Sequence, residues 1–136
     1  MQSTELKRKS IGYGIIVLFF CIFGLIIYGA YSPARKSQKQ RIVCFKFKEG
    51  LQKEAVEQHM RDFAALKYEI PQIVSYSAGK TLLTEGTSEY DVMHYITFQS
   101  EADIETYNKH TSHQAFVTKH RGQWEKVLVI NSDIHP

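Results

Sequence analysis

The sequence predicts an α+β domain that follows one long apolar segment. Residues 11–31 carry no charge and, as a helix, are long enough to cross a membrane. The rest of the chain alternates between the period of two typical of strands and the three-to-four spacing typical of helices. Because the chain has 136 residues, there is room for one domain of ordinary size and a tether.

The apolar segment, IGYGIIVLFFCIFGLIIYGAY, is interpreted as a single-pass membrane anchor. The alternatives are a buried helix and a cleaved secretory signal. The apolar region of such a signal normally has about 7 to 15 residues before small residues at the cut. Here Tyr28 places a bulky side chain in that position. The predicted organisation is a basic tail over residues 1–10, an anchor over 11–31, a polar linker over 32–40 and a folded domain over 41–136.

Basic residues flank the anchor on both sides, so the positive-inside rule does not decide its orientation. We expect the short tail to remain inside, because Lys7, Arg8 and Lys9 lie directly before the apolar run. The folded domain would then lie outside the cytoplasm.

The formal charge of +3 does not indicate a nucleic-acid partner. Residues 1–40 hold six of the seventeen Lys and Arg but one of the fourteen acids, which leaves residues 41–136 with 11 minus 13, or −2. The basic residues lie beside the predicted anchor, where they would meet anionic head groups, and the domain has no basic stripe. No nucleic acid is expected as a partner.

The first strand and helix of the domain follow from periodicity. In RIVCFKF, residues 41–47, alternation gives a strand with two faces. One face has the apolar side chains of Val43, Phe45 and Phe47, and the mixed face has those of Ile42, Cys44 and Lys46. After Gly50, apolar residues recur every three or four positions between Val56 and Ile70, which predicts an amphipathic helix that ends before Pro71. Residues 73–79 and 91–98 predict two further strands, with a polar loop at 83–89 between them.

The last part of the domain predicts two short helices and a strand. Ser100 followed by Asp103 resembles a helix N-cap with a carboxylate in the first turn. Thr111 followed by Gln114 fits a capping box that restarts the helix after His110. Residues 126–131, KVLVIN, close the domain as a strand. One side of the second helical piece is predicted to carry His113, Phe116, Val117, His120 and Trp124.

The order strand, helix, strand, strand, helix pair, strand is that of the ferredoxin-like fold, a four-stranded antiparallel sheet with its helices on one face. The other face would expose Ile42, Cys44, Leu128 and Ile130, or their alternates. An apolar face of that size indicates an interface. We therefore expect a homodimer in which two sheets stack through this face into a barrel.

The predicted domain also resembles a known family. The segments RIVCFKFKEG, IPQIVSYSAGK, YDVMHYITFQSEADIETY, YNKHTSHQAFV and WEKVLVIN are similar to those of the stress-responsive A/B barrel, or dimeric α/β barrel, domain. The most specific element is the pattern Tyr-x-x-His-Pro-x-His followed by small and aromatic residues. It is met here by Tyr107, His110, His113, Ala115 and Phe116. The resemblance extends from about residue 41 to residue 133.

The resemblance implies a stable dimer with a cleft, and in polyketide cyclases of the family a Tyr and the second motif His act as acid-base groups. Carried over by position, those roles fall on Tyr107 and His113. An imidazole that titrates near neutrality can remove an α-proton while a phenol donates to the developing oxyanion. This sequence departs from the family at Thr111, where Pro is usual, at Arg41, where many members have His, and at Asn131, where Asp is common.

Each candidate residue also has a structural interpretation. His113 fits a half-buried polar residue bonded to a neighbouring carbonyl or carboxylate, Tyr107 fits a core aromatic, and His110 fits a helix cap. A metal site built from His110, His113, His120 and His94 is a further alternative, but the helix break and the absence of a Cys pair argue against it.

We therefore expect no metal and no cofactor. The primary hypothesis is a membrane-tethered dimeric module that binds a small apolar molecule or is associated with stress. The alternative is a cyclase-like acid-base enzyme that acts on a small apolar, polyketide-like carbonyl compound through Tyr107 and His113.

Overall fold

The computed structural model describes residues 2–30, 35–82 and 88–135. The chain divides into two compact units, Met1–Ala34 and Arg35–Pro136. In the first unit, helix α1 extends over Gln2–Ala30. Its Ser3–Ala30 part is long and apolar enough to cross a membrane, a property that it shares with signal sequences. The helix therefore begins inside the predicted basic tail and contains the predicted apolar segment except Tyr31, which lies outside the described residues.

The second unit has the ferredoxin-like fold that the sequence predicts. The predicted loop at 83–89 and the linker at 32–40 lie partly outside the described residues. The first strand begins two residues earlier than predicted. The elements are β1 (Lys39–Phe47), α2 (Lys53–Glu69), β2 (Ser75–Lys80), β3 (Val92–Phe98), α3 (Glu101–Lys109), α4 (Thr111–His120), a 3₁₀ turn (Arg121–Gln123) and β4 (Trp124–Asp133).

The four strands form one antiparallel sheet in the order β2-β3-β1-β4. Strand β1 is central, with Val43 opposite His94 of β3 on one side and opposite Val129 of β4 on the other. Because strand side chains alternate between faces, this register places Arg41, Val43 and Phe45 on the side of the sheet that the helices cover. The core lies between this face and the helices, where Phe63, Leu66, Ile104 and Phe116 meet the sheet.

The opposite face of the sheet carries a compact apolar patch, which we call the outer patch. Two rows of paired residues cross β3, β1 and β4 there. A polar row through Gln40 and Ser132 borders the patch on one side, and a row with Lys46 and Lys126 borders it on the other. The rows of the outer patch are Tyr95, Ile42 and Ile130, and Met93, Cys44 and Leu128.

The joint between α3 and α4 differs from the prediction. Ser100 caps α3 as expected, with its hydroxyl accepting from the Asp103 N–H at 3.2 Å. The N-cap of α4, however, is His110 and not Thr111. His110 has an extended backbone, and its Nδ1 accepts from the Ser112 N–H at 3.2 Å, so the imidazole performs the task predicted for the Thr111 hydroxyl.

The end of α4 also differs from the prediction. The helix stops at His120 and a 3₁₀ turn follows, so Trp124 is the first residue of β4 and not part of the helical face. Its indole packs on Phe45 with ring centroids 4.7 Å apart. Trp124 therefore reaches the same core through the sheet.

Candidate functional site

A cavity of about 300 Å³ lies on the helix side of the sheet, between strands β1 and β4 and helices α3 and α4. Val127 and Val129 point towards it from β4 and stay 40% and 49% exposed, because the helices do not cover this edge of the sheet. The cavity walls combine many apolar side chains with a few polar ones. Its lining consists of Arg41, Val43, Phe45, Phe63, Tyr107, Asn108, His113, Phe116, Val117, Trp124, Val127 and Val129.

The cavity brings together both residues that the sequence marked as candidates. Tyr107, near the end of α3, is only 1% exposed, and His113, in the first turn of α4, is half-buried. Their rings lie 4.4 Å apart, measured between centroids. The break at His110 makes this possible, because it turns α4 relative to α3 and directs both side chains towards one space.

The hydrogen bonding of His113 determines which ring nitrogen can act as a base. Nδ1 lies 3.2 Å from the backbone oxygen of Asn108. A carbonyl oxygen can only accept, so Nδ1 carries the proton and Nε2 keeps a free lone pair. Burial lowers the pKa of His113, the bond to Asn108 opposes that shift, and the charge of Arg41 adds to it. The imidazole is therefore neutral at pH 7.

Tyr107 is suited to the opposite role, that of a hydrogen-bond donor. Burial raises the pKa of its phenol well above the ordinary value, although the nearby positive charge of Arg41 works in the other direction. The phenol therefore keeps its proton at any physiological pH. Its ring packs edge-on against Phe98 at 5.4 Å, which fixes its position in the cavity wall.

Arg41 forms the remaining part of the polar end of the cavity. Its Nε donates to Asn131 Oδ1 at 2.8 Å, and its Nη1 donates to Asn108 Oδ1 at 2.6 Å. The guanidinium carbon lies 5.5 Å from the centre of the Tyr107 ring. The four polar groups of the cavity thus form one connected cluster, which we call the polar cluster: Arg41, Tyr107, Asn108 and His113.

In the sequence, Arg41 differs from the family pattern but is not predicted as a site residue, and Asn108 is not predicted as one either. Both belong to the polar cluster because the antiparallel register and the α3 helix bring residues 67 positions apart into contact. The one signal in the sequence was a positive charge on the apolar face of a predicted strand. Alternation placed Arg41 on the same face as Val43 and Phe45.

The other candidate histidines do not join this site. His110 caps α4, while His94 bonds the Tyr76 hydroxyl at 2.8 Å and His120 bonds Asp62 Oδ2 at 2.8 Å. Across residues 2–30, 35–82 and 88–135, no three His, Cys, Asp or Glu side chains converge as ligands for a metal ion. The polar cluster contains one imidazole, one cation and no carboxylate, a donor set that does not suit a metal.

Comparison with known proteins identifies a family whose model matches most of the domain. The family model for the stress-responsive A/B barrel domain matches residues 40–134. A curated relative, the stress-response A/B barrel domain-containing protein HS1 of Arabidopsis thaliana, is 28% identical over 97 residues, which cover 71% of this chain and 89% of the relative.

Solved structures share the fold. A hydroxynitrile lyase from Passiflora edulis has a TM-score of 0.67 at 22% identity, with 73% of this chain and 94% of the lyase covered. A dimeric ferredoxin-like protein of unknown function from Thermobifida fusca has a TM-score of 0.64 at 18% identity, with 74% and 93% covered. At these identities the two structures support the fold of this chain.

Proposed function

The chain belongs to the stress-responsive A/B barrel domain family, and we propose that it is a membrane-tethered homodimer that binds a small, mostly apolar molecule in the cavity beside β4. One observation carries the proposal. The four residues of the polar cluster contact one another in the wall of a cavity, and the other eight described residues of its lining are apolar. This combination of an apolar body and a few convergent polar groups is typical of ligand sites.

The exposed apolar edge of the cavity favours a ligand site over a region of ordinary core packing. Val127 and Val129 belong to the helix side of the sheet, where a fully packed core would bury them. A molecule that filled the cavity would remove this apolar surface from water and gain about 25 cal/mol for each Å². The volume is at the lower end of the range for ligand pockets, which favours a compact ligand.

A substitution that fills the cavity should weaken binding. In the full chain in lipid nanodiscs, we expect Val117→Phe to raise the Kd of cyclohexanecarboxamide about tenfold or more, because the larger ring occupies the ligand's space. Trp124, the chain's single tryptophan, lines the cavity, so its fluorescence reports the binding. The matched control is Thr118→Phe, at the exposed neighbouring position of α4, which should bind as the unsubstituted chain does. Equal affinities in both variants would remove the cavity as the binding site.

The homodimer is proposed to form through the outer patch. Its apolar rows lie in the centre of the sheet between two polar rows, which is the arrangement of an interface with a polar rim. The Thermobifida fusca protein with the same fold is described as dimeric. A second copy of this chain would cover both patches at once, as an isologous interface requires.

The membrane tether is proposed from α1, whose apolar part is long enough to span a hydrocarbon core. We keep the expectation that the folded domain lies outside the cytoplasm, because Lys7, Arg8 and Lys9 precede the apolar part. Extraction of cell membranes with alkaline carbonate tests the tether. A spanning anchor stays in the membrane, whereas release of the intact chain excludes it and release of a shortened chain indicates a cleaved signal.

A second candidate function is acid-base chemistry on a small apolar carbonyl compound, such as a polyketide-like substrate. The neutral imidazole of His113 and the protonated phenol of Tyr107 favour it. In the proposed step, His113 Nε2 takes an α-proton, and the electrons of the broken C–H bond form the enolate. Tyr107 donates a hydrogen bond to the enolate oxygen. The imidazolium then exchanges the abstracted proton with water, and transfer of a solvent-derived proton from the imidazolium to carbon completes a hydrogen exchange that needs no reactant other than water.

This candidate predicts catalysed hydrogen exchange at carbon. In deuterated water, the full chain should speed deuterium incorporation into the α-positions of cyclohexyl methyl ketone, followed by proton NMR. His113→Asn retains a donor for the Asn108 carbonyl but removes the base, and Tyr107→Phe removes the donor. Each should lower the catalysed rate by about a hundredfold or more. Unchanged catalysed exchange in His113→Asn would exclude His113 as the base. If the unsubstituted chain binds the ketone but gives no exchange above the uncatalysed rate, the chain is a binding domain only.

A further inference from the structure

We propose that the cavity selects ligands that carry a carboxylate on an apolar body, with Arg41 as the residue that determines this specificity. The inference rests on the proposed function, because it concerns what occupies the same cavity. It goes further by naming the chemical class of the ligand, a small apolar carboxylic acid in its ionised form.

The proposal begins with the surroundings of the Arg41 guanidinium, which is only 8% exposed. Both of its hydrogen-bond acceptors, the side-chain oxygens of Asn108 and Asn131, are uncharged. Within residues 35–82 and 88–135, no carboxylate lies within the 4.0 Å of an ion pair, and Nη2 donates to no acceptor. Among these residues the cation is therefore buried without an ion-pair partner.

A buried charge without an ion-pair partner is unusual, because the loss of hydration is unfavourable unless an opposite charge compensates for it. The desolvation is large enough to lower the pKa of Arg41 below its ordinary value. A planar guanidinium matches the two oxygens of a carboxylate in a bidentate pair. Since Nε and Nη1 are bonded to the two asparagines, the guanidinium is held in a fixed orientation and still has N–H groups to donate.

Arg41 also lines a neighbouring surface groove that contains Glu101, Glu105 and Asp133. Two of these carboxylates, Glu101 and Asp133, pair with Lys39, and none of the three forms an ion pair with Arg41. Among the described residues that line the cavity, none has a carboxylate and Arg41 is the only one that carries a full charge. An anionic group would therefore be attracted within the cavity, while its apolar body would contact Phe63, Phe116 and Val117.

The test compares two probes of nearly the same shape that differ in charge. With the full chain in phosphatidylcholine nanodiscs at pH 7, Trp124 fluorescence gives the Kd of cyclohexanecarboxylate and of cyclohexanecarboxamide. We expect the carboxylate to bind about tenfold or more tightly, as charge-assisted hydrogen bonds do relative to neutral ones. Equal affinities, or a preference for the amide, would overturn the proposal.

Substitution of Arg41 assigns the preference to this residue. Arg41→Gln should bring the two affinities together by weakening carboxylate binding alone, whereas Arg41→Lys should keep part of the preference because the charge remains. If Arg41→Gln does not fold, Arg41→Lys and the comparison of probes in the unsubstituted chain still decide the matter. A carboxylate preference that survives in folded Arg41→Gln would exclude Arg41 as its source.

The two proposals fail in different ways. If the amide binds and the carboxylate binds no more tightly, the cavity remains a ligand site and only the choice of an anionic ligand is wrong. If neither probe changes Trp124 fluorescence at millimolar concentration, and Val117→Phe behaves as the unsubstituted chain does, the proposed function itself fails.

Discussion

Lowering the pH from 7 to 5 is expected to remove about 4 kcal/mol from the free energy of unfolding of the domain, because two buried histidines resist protonation. Burial lowers the pKa of His59 to about 3, and the nearby His120 adds to this effect. Burial lowers the pKa of His94 to about 3 as well, with His59 contributing. Both imidazoles are therefore neutral in the folded domain throughout this range.

The structural cause is the aromatic centre of the core. The ring of His59 is fully buried and packs edge-on against Phe45 and Phe47 at 4.6 and 4.9 Å. Neither of its nitrogens has a hydrogen-bond partner among the described residues. His94 stacks on Phe63 at 3.8 Å, and only its Nδ1 is bonded, to the Tyr76 hydroxyl. A second proton on either ring would place a positive charge in the core, away from water.

The direction of the effect follows from proton binding in the two states. In the unfolded chain, both histidines titrate near the ordinary value of 6.5, so between about pH 6.5 and pH 3 the unfolded state binds more protons than the folded state. Stability therefore falls as the pH decreases through this window. At pH 5 the loss is about 2 kcal/mol for each histidine. Asp62 adds little to the loss above pH 5, because its pKa is about 2 in the folded domain and 3.8 ordinarily, so the carboxyl is ionised in both states there.

Urea unfolding of residues 35–136, followed by Trp124 fluorescence at fixed protein concentration, measures this loss. This part of the chain is a compact unit with a core of its own. His59→Leu should halve the loss between pH 7 and pH 5, to about 2 kcal/mol, because one titrating group is removed. It should also be neutral or stabilising at pH 7, since two unbonded buried nitrogens disappear.

The control for this prediction is Phe98→Leu, a core substitution of a residue that does not titrate. It should lower stability by a similar amount at every pH, because it removes packing on Tyr107 and leaves the buried histidines in place. The explanation fails if the unsubstituted domain is equally stable at pH 7 and pH 5, or if His59→Leu keeps the full loss.

A single charge in the outer patch should convert the proposed dimer into a monomer. Ile130 is paired with Ile42 in the middle of the patch and is 45% exposed in one chain, so Ile130→Glu costs the isolated fold little. In a dimer, the carboxylate would be buried without a partner in both copies. Each buried ion costs several kcal/mol, so the dissociation constant should rise by about a thousandfold or more.

Light scattering on residues 35–136 at micromolar concentration measures the molecular mass. The unsubstituted domain should have twice the mass of one chain, and Ile130→Glu should have the mass of one chain. Thr118→Glu adds the same charge on the exposed side of α4 and should stay dimeric. A dimeric Ile130→Glu would show that the subunits meet through another surface, and a monomeric unsubstituted domain would exclude the homodimer.

Local patterns were sufficient for most of the fold. The alternation in residues 41–47 predicted which side chains of β1 face the helices, and the spacing from Val56 to Ile70 predicted α2. Ser100 was correctly predicted as a cap because capping depends on residues three positions apart. The family motif indicated Tyr107 and His113. Both residues line one cavity, and their catalytic role stays a prediction.

Similar local patterns did not predict the two ends of α4 correctly. Thr111 and Gln114 have the spacing of a capping box, yet His110 caps α4, because a histidine in an extended conformation can accept through Nδ1. Trp124 continued the helical spacing but belongs to β4, because the 3₁₀ turn ends the helix. Side-chain spacing does not determine where a backbone changes direction when two residues can satisfy the same N–H groups.

The sequence by itself determined the order of the elements, the faces of the strands and the apolar length of α1, since each depends on neighbouring residues. Only the tertiary structure decided that Arg41 meets Asn108 and Asn131, 67 and 90 positions away, and that no carboxylate of the described residues pairs with it. It likewise decided that His59 and His94 share one aromatic core. Charge compensation and burial are properties of a volume that distant segments enclose, and the linear order of residues does not specify that volume.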